Sequence, residues 1–343
     1  MQFIREKQFK ANLHCHSTLS DGKLTPQALK DAYKSNGYSI LSITDHERPH
    51  DHTAMSDPDF LLLTGYEAYI RPDPMCRYDV FSRELHLNLF ARDPHNVDLI
   101  CYNAPYVKYV LNPVERAAMP RYGSRETRQY TAEYINRFIQ TAMEDGYLVT
   151  LNHPVWSMED FSELFRYNGF FSMEICNYSA FQSGLNEYNT CLYDMMLRRG
   201  RRVFAHSADD NHNEIGIGKP GDDSFGGFTM FNLPQDSLTY DGVIAAMDAG
   251  SFYSSMGPVI RSLEIEDDRA RITCSDAVRI AMLYGAKSTR AEFPSAFGET
   301  VDHAEFKIPS KAQYVRFTVT DAFGHHADTR GYFRDEWDAR TAQ

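Results

Sequence analysis

Two histidines one residue apart, His14 and His16, stand just ahead of the turn-type run Ser20-Asp21-Gly22. Phe9, Ala11, Leu13 and Cys15 alternate with Lys10, Asn12, His14 and His16, so on a strand both imidazoles leave the same face. Two neutral rings side by side, with a carboxylate a turn later, suit a divalent metal better than they suit packing. A surface strand that happens to carry two histidines is the other reading. The segment alone does not choose between them.

Further residues of ligand type follow along the chain. Thr44-Asp45-His46 closes the apolar run 39–43, Glu67 follows the run 60–66, His86 lies within 85–90, and His153 follows 147–151. Asp210 and His212 come after the run 202–205. The candidate ligands are therefore His14, His16, Asp21, His46, Glu67, His86, His153, Asp210 and His212. That is more than one ion needs, since zinc is usually four-coordinate and a catalytic site keeps one position open. Two or three divalent ions fit, with Glu67 as the natural bridge because its two oxygens can reach different ions. Zn, Mn and Fe suit a histidine and carboxylate set about equally.

Other residues invite a role and carry an alternative. Asp45 orients the His46 ring or caps a turn, outside the ligand set. His206, on an apolar run, reads as a core or supporting histidine, and Glu174 as pocket lining or ligand. Asp209 competes with Asp210, and the D-x-H spacing favours Asp210 with His212. His50, His52, His95, His303, His325 and His326 lie in polar loops or in the C-terminal tail, where a solvated surface is the default.

These residues must be held by strands. Thr25 as N-cap, Pro26 in the first turn and Gly37 past the end mark a helix between the first two strands. Helical runs are also expected over 126–145, behind Ser124, and over 185–199, closed by Gly200. Alternating strands and helices predict a parallel sheet with helices outside it, and ligand-type residues at the C-terminal strand ends favour a (βα) barrel of seven or eight strands. Residues 91–125, with four prolines and no clear period, read as an insertion that serves as a lid or as a structural loop. From residue 261 short alternating runs predict a small all-β, sandwich-like domain over 261–343, leaving 1–260 for the barrel.

The 343 residues, 43% of them hydrophobic, can bury a large core. A net charge of -12 argues against a surface for nucleic acid or an anionic membrane, although a nucleotide or short oligonucleotide could enter a metal-lined pocket. The first ten residues hold Arg5, Lys7 and Lys10 and no long apolar run, so neither a leader nor a membrane span is expected and the location reads as cytoplasmic. Six scattered cysteines without C-x-x-C spacing fit reduced thiols, with Cys15 packed opposite the histidines rather than ligating.

Taken in order, H-x-H at 14 and 16, S-D-G at 20–22, T-D-H at 44–46, G-x-E at 65–67, N-H-P at 152–154 and D-x-H at 210–212 resemble the motifs of the PHP (polymerase and histidinol phosphatase) family of metal-dependent phosphoesterases. The resemblance spans about residues 8–260. It implies a distorted (βα)7 TIM-like barrel with a trinuclear metal centre. It further implies one ion on His14, His16, Glu67 and Asp210, a second on Glu67, His86 and His153, and a third on Asp21, His46 and His212. The fourth motif departs from the family's G-S-D-A-H, reading Ser207-Ala208-Asp209-Asp210-Asn211-His212. The run 250–258 and the tail around 314–324 resemble stand-alone members with a β-rich C-terminal domain, a branch that also includes hydrolases of carboxylic and carbamate esters.

The implied reaction is hydrolysis of a small phosphorylated metabolite or nucleotide by a metal-bridging hydroxide, with Glu67 and Asp210 as the catalytic carboxylates. Lys23 and Arg48, each just past a ligand motif, could hold the phosphate or could be solvated. Ester or carbamate hydrolysis, and a non-catalytic metal-binding module, are the rival readings. Oligomeric state is left open.

Overall fold

The helix marked by Thr25 forms over Pro26–Ser35: Thr25 Oγ1 accepts the Ala28 N–H at 3.2 Å, and Gly37, at φ 76, follows its C-cap. The strands on either side of it, Phe9–Asn12 and Ile40–Ser42, pair in parallel, and Ile40–Ser42 pairs in parallel with Leu61–Leu63. The computed structural model describes residues 1–234 and 237–338; residues 339–343 of the expected C-terminal domain lie outside it.

The expected closed (βα)7 barrel is not what the ladders form. Among the described residues the strands make open sheets. One holds, in order, Phe204–Ala208, Ser172–Asn177, Tyr147–Leu151, Leu85–Ala91 and Gly65–Ile70. A longer sheet carries Leu61–Leu63, Ile40–Ser42 and Phe9–Asn12, then Phe228–Phe231, Phe252–Ser255 and the strands of the C-terminal region. The parallel succession breaks where no helix intervenes: residues 71–84 return the chain so that Leu85–Ala91 runs antiparallel to both Gly65–Ile70 and Tyr147–Leu151. Single bridges, Cys15 to Asn211 and His46 to Glu67, link the two sheets.

Two expected helices are shorter than their hydrophobic pattern suggests. The run 126–145 becomes helical only over Ala132–Glu144, capped by Thr131 rather than Ser124, because Arg128 is drawn inward to a fully buried pairing with Glu47. Tyr134, Ile135, Phe138, Ile139 and Ala142 of that helix pack on the five-stranded sheet at helical spacing. The run 185–199 is helical only over Thr190–Arg198, since Asn177 N–H bonds to Glu187 O and Asn189 N–H to Ile175 O, strapping residues 187–189 along the strand Ser172–Asn177.

The C-terminal region is antiparallel and sheet-rich. Ile260–Glu266, Arg269–Ala277 and Val301–Lys307 form a sheet whose Leu263, Ile272 and Phe306 share one apolar cluster with Ile280, Phe317 and Val319 of the long sheet. Ladders cross the 260/261 division: Gln2–Ile4 pairs with Ile260–Glu266, and Phe252–Ser255 with His326–Thr329. Residues 91–125 contain the paired strands Leu99–Ile100 and Arg121–Tyr122 and the helix Pro113–Ala118. All six cysteines are free, and no helix among the described residues is long and apolar enough to cross a membrane.

Candidate metal centre

The H-x-H and D-x-H motifs, nearly two hundred positions apart, lie against each other. Asp210 N–H donates to His14 O at 2.8 Å and His16 N–H to Asn211 O at 3.1 Å. The strand Phe9–Asn12 ends before the histidines, so it is this backbone pairing that aims them. Asn12 braces the seam, its Oδ1 accepting the Asp209 N–H at 3.0 Å and its amide donating to His14 O at 3.0 Å. The turn at Asp21 demands Gly22, where a Cβ would sit 2.1 Å from His16 O. On the other side Glu67 N–H donates to Thr44 O at 3.1 Å and Glu47 N–H to Glu67 O at 2.8 Å, which brings His46 beside Glu67. His86 sits on the neighbouring strand opposite Tyr69.

All nine predicted ligands meet in one cluster, in overlapping groups whose donor atoms lie within 4.8 Å of one another, His153 grouping with His14 and Glu174. His14, His16, Glu67 and Asp210 form one group, His16, Asp21, His46 and His212 another, and His46, Glu67 and His86 a third. His153 Nε2 stands 3.3 Å from Glu67 Oε1. The two oxygens of Glu67 face different rings: Oε1 lies 3.2 Å from His14 and 2.9 Å from His86, while Oε2 lies 3.0 Å from His46 and 3.4 Å from His16.

These donor atoms fit cations better than they fit one another. Asp210 Oδ1 is buried 3.0 Å from both His14 Nε2 and His16 Nε2 yet has no hydrogen bond of acceptable geometry, and His46 Nδ1 is in the same position beside Glu67. His14 Nδ1 lies 2.7 Å from Glu174 Oε1, so the ring donates there and its Nε2 is turned to the cluster, 3.2 Å from His16 Nε2, where a metal ion would take the place of a proton. Imidazole nitrogens and carboxylate oxygens that converge this closely, with buried atoms left unsatisfied, fit a cation site.

Burial opposes ionisation of Glu67, but His86, His14 and His46 hold its carboxyl well below the usual carboxylate range. Asp210, half-buried, is opposed by desolvation in the same way and likewise held low by His14 and His16. Burial pushes His46 down to about 3, aided by the neighbouring His16, whereas the carboxylates Asp210, Glu67 and Glu174 outweigh burial at His14 and raise it. The carboxylates thus stay charged and need compensating positive charge, supplied by protons on imidazoles or by metal ions that displace them.

The surrounding residues have distinct tasks. Glu174, buried, also accepts the His153 N–H at 3.0 Å and the Asn177 amide at 3.0 Å, so it supports His14 and His153 from behind. Asp45 does not reach the His46 ring; it accepts from Ser17 N–H at 2.8 Å, Ser17 Oγ at 2.6 Å and Ser20 Oγ at 2.6 Å and so caps the turn that carries Asp21. Asp209 faces away from the cluster, taking the N–H groups of Phe225, Gly226 and Gly227 and the Tyr33 hydroxyl. His206 lies behind Glu174, 2.8 Å from Ser172 Oγ. His50, His95, His303 and His325 are exposed and His326 half-buried, but His52, expected on the surface, is buried with its ring 4.5 Å from that of His50 at a tilt of 46°.

The pocket over this cluster has a volume of about 400 Å³. Lys23 and Arg48 do not line it: Lys23 Nζ pairs with Glu214 at 2.6 Å, and Arg48 with Glu115 at 2.7 Å. The cations that do are Arg71 and Lys108. Arg71 is pinned by Glu84, whose Oε1 also lies 2.5 Å from His86 Nε2, and Lys108 Nζ donates to Cys76 O at 2.8 Å. Tyr109, from the 91–125 insertion, donates its hydroxyl to Asp21 Oδ2 at 2.8 Å, and Trp156 packs on His86 and His153. None of these was singled out from sequence. The E-x-H spacing of Glu84 and His86 is the one local signal that could have marked a member of this set.

No protein-family model matches the chain, and no curated protein does. Solved structures do. The chain is similar to a two-domain protein of Bacteroides vulgatus containing a predicted PHP-like metal-dependent phosphoesterase, at 16% identity and a TM-score of 0.45, with 92% of this chain and 91% of that one covered. It is also similar to a protein of Bifidobacterium adolescentis assigned as a metal-dependent phosphoesterase, at 16% identity, 69% and 95% coverage and a TM-score of 0.36. A third is an amidohydrolase of Chromobacterium violaceum carrying sulfate and no metal, at 14% identity and a TM-score of 0.39, with 71% of this chain and 96% of that one covered.

Proposed function

We propose that this chain is a metal-dependent hydrolase whose substrate is a small phosphorylated molecule, held on two or three divalent ions. The observation that carries the reading is the buried Asp210 Oδ1, 3.0 Å from two imidazole nitrogens and hydrogen-bonded to neither, at the centre of nine converging ligand-type side chains. Divalent ions bound there would lower the pKa of water and neutralise charge on phosphoryl oxygens. Glu67, with each oxygen turned to a different set of imidazoles, is the shared ligand; Asp210 completes the set with His14 and His16. The two open sheets and their bridges form, on this reading, a distorted version of the PHP barrel.

The chain's own residues would do the rest. Arg71 and Lys108 supply positive charge at the wall, where a phosphate bound at the cluster would meet it. Glu84 and Cys76 O hold the Arg71 guanidinium in one orientation at the wall. Trp156 and the ring of Tyr109 narrow the mouth and keep water from the far side of the substrate. Lys108, which has no carboxylate partner among the described residues, together with the ions themselves favours a phosphoester over a neutral carboxylic ester.

The test is elemental analysis of purified protein followed by turnover of 4-nitrophenyl phosphate, bis(4-nitrophenyl) phosphate and 4-nitrophenyl acetate. Bound divalent metal and preferential cleavage of a phosphorylated probe are expected, with loss of turnover on chelation and in Glu67→Ala. Undiminished turnover in metal-stripped protein would overturn the metal role, and preference for the acetate would overturn the phosphoester.

A further inference from the structure

A second cavity, of about 490 Å³, lies between the helix Thr190–Arg198 and the strands Arg279–Leu283, Arg290–Glu292 and Tyr314–Thr320. It shares no lining residue with the pocket over the metal centre. Its charge runs against that of the chain: Asp194 is the one acidic residue in its wall, against Arg198, Arg279 and Arg316, while the whole chain carries -12.

The acid is already spoken for. Asp194 accepts from buried Arg316 through both oxygens, at 2.6 and 2.9 Å, and the remaining Arg316 nitrogen donates to Thr318 and Asp328. Arg198 and Arg279 have no carboxylate partner among the described residues; Arg279 donates to Thr320 Oγ1 at 3.1 Å and is otherwise exposed. Two exposed guanidiniums without acids, beside a third fixed in place, leave the cavity with uncompensated positive charge.

The rest of the wall suits an organic body. Tyr188 and His326 stack at 4.7 Å and 15°, held from below by the Tyr188 hydroxyl on Asp328 and by His326 Nδ1 near Thr320 Oγ1. Leu283 and the exposed Phe293 add apolar surface. We propose that this cavity binds a small organic anion, with a phosphate or carboxylate head on Arg198 and Arg279 and an apolar or planar body against Leu283, Phe293 and the Tyr188–His326 stack. The site is independent of the metal centre and of the reaction proposed for it.

Cys191, also in the wall, is exposed while the other five cysteines are buried, which makes it a built-in reporter. The full-length, metal-loaded protein is reacted with 5,5′-dithiobis(2-nitrobenzoate) with and without phenylphosphonate, an anionic aromatic probe that has no ester bond to hydrolyse. Saturable slowing of thiol modification is expected, absent from Cys191→Ser, which itself should show almost no fast-reacting thiol. Loss of one charge-assisted contact weakens binding about tenfold, so Arg198→Gln with Arg279→Gln should shift the protection curve by about a hundredfold with hydrolysis unchanged. No slowing at millimolar probe, or the same protection curve in the double variant, would overturn the proposal. Carboxylate probes such as phenylacetate then rank the two head groups.

Discussion

Glu174 Oε1 lies 2.7 Å from Nδ1 of His14, both side chains buried, across 160 positions of sequence. A carboxylate behind a ligating imidazole fixes its tautomer and raises its basicity, and losing such a partner typically costs 10–100-fold in metal affinity. Glu174→Gln keeps the shape and removes the charge. It is expected to weaken divalent-metal binding by about that factor in chelator competition, with the circular dichroism spectrum unchanged.

Gly22 predicts a steric failure at the same centre. A Cβ there would meet His16 O at 2.1 Å and Ser17 N at 2.8 Å, both backbone atoms that cannot swing aside. Gly22→Ala should displace Asp21 and destabilise the protein by about 1–3 kcal/mol, the usual scale of overpacking. Denaturant unfolding and metal stoichiometry measured together check it, since both should fall.

The Glu47 and Arg128 side chains form a fully buried pair, and Arg128 also donates to Tyr69 O at 2.7 Å. Removing one partner of a buried pair typically costs about 3–5 kcal/mol because a charge is left uncompensated. Arg128→Met should therefore destabilise strongly, and adding Glu47→Gln should restore part of the loss. A double-mutant cycle by urea unfolding measures both.

Glu159 carries a pH dependence of definite sign. Burial pushes its carboxyl up to about 7 from the usual 4.5, against the hydrogen bonds from Tyr130 and Tyr167. Between those two values the folded chain holds the proton more often than the unfolded chain, so the folded state loses stability as pH rises through that window. The loss is of order 3 kcal/mol by the same shift. Glu159→Gln should flatten it: the variant gains on the parent when urea unfolding is moved from pH 5 to pH 8, and equal pH slopes would refute the assignment.

How much of this was legible before folding follows from what sets each feature. Pro26–Ser35 carries its own cap, proline and terminal glycine, so local chemistry determines it. The run 126–145 has an equally clear period, yet its first turn is lost because Arg128 reaches a partner 81 positions away. Periodicity holds no information about that contact. The antiparallel strand Leu85–Ala91 was not legible for a related reason, since its pairing depends on which neighbour the strand finds.

The same line runs through the site. His14, His16, Asp210 and His212 could be picked out from residue type and short spacing, although both pairs lie just past the ends of their strands and are aimed by the pairing of the two segments rather than by strand geometry. Lys23 and Arg48 could not be told from Arg71 and Lys108, since which cation lines the pocket depends on where the folded backbone places it: Lys23 and Arg48 turn to Glu214 and Glu115, while Arg71, though paired with Glu84, stands in the pocket wall with Lys108. Glu174 behind His14, Asp45 under the Ser17 turn and Tyr109 on Asp21 were decided only by tertiary structure. Ligand identity is written in local pattern; the partners that aim and charge those ligands come from distant strands, and only the order in which the sheets assemble brings them together.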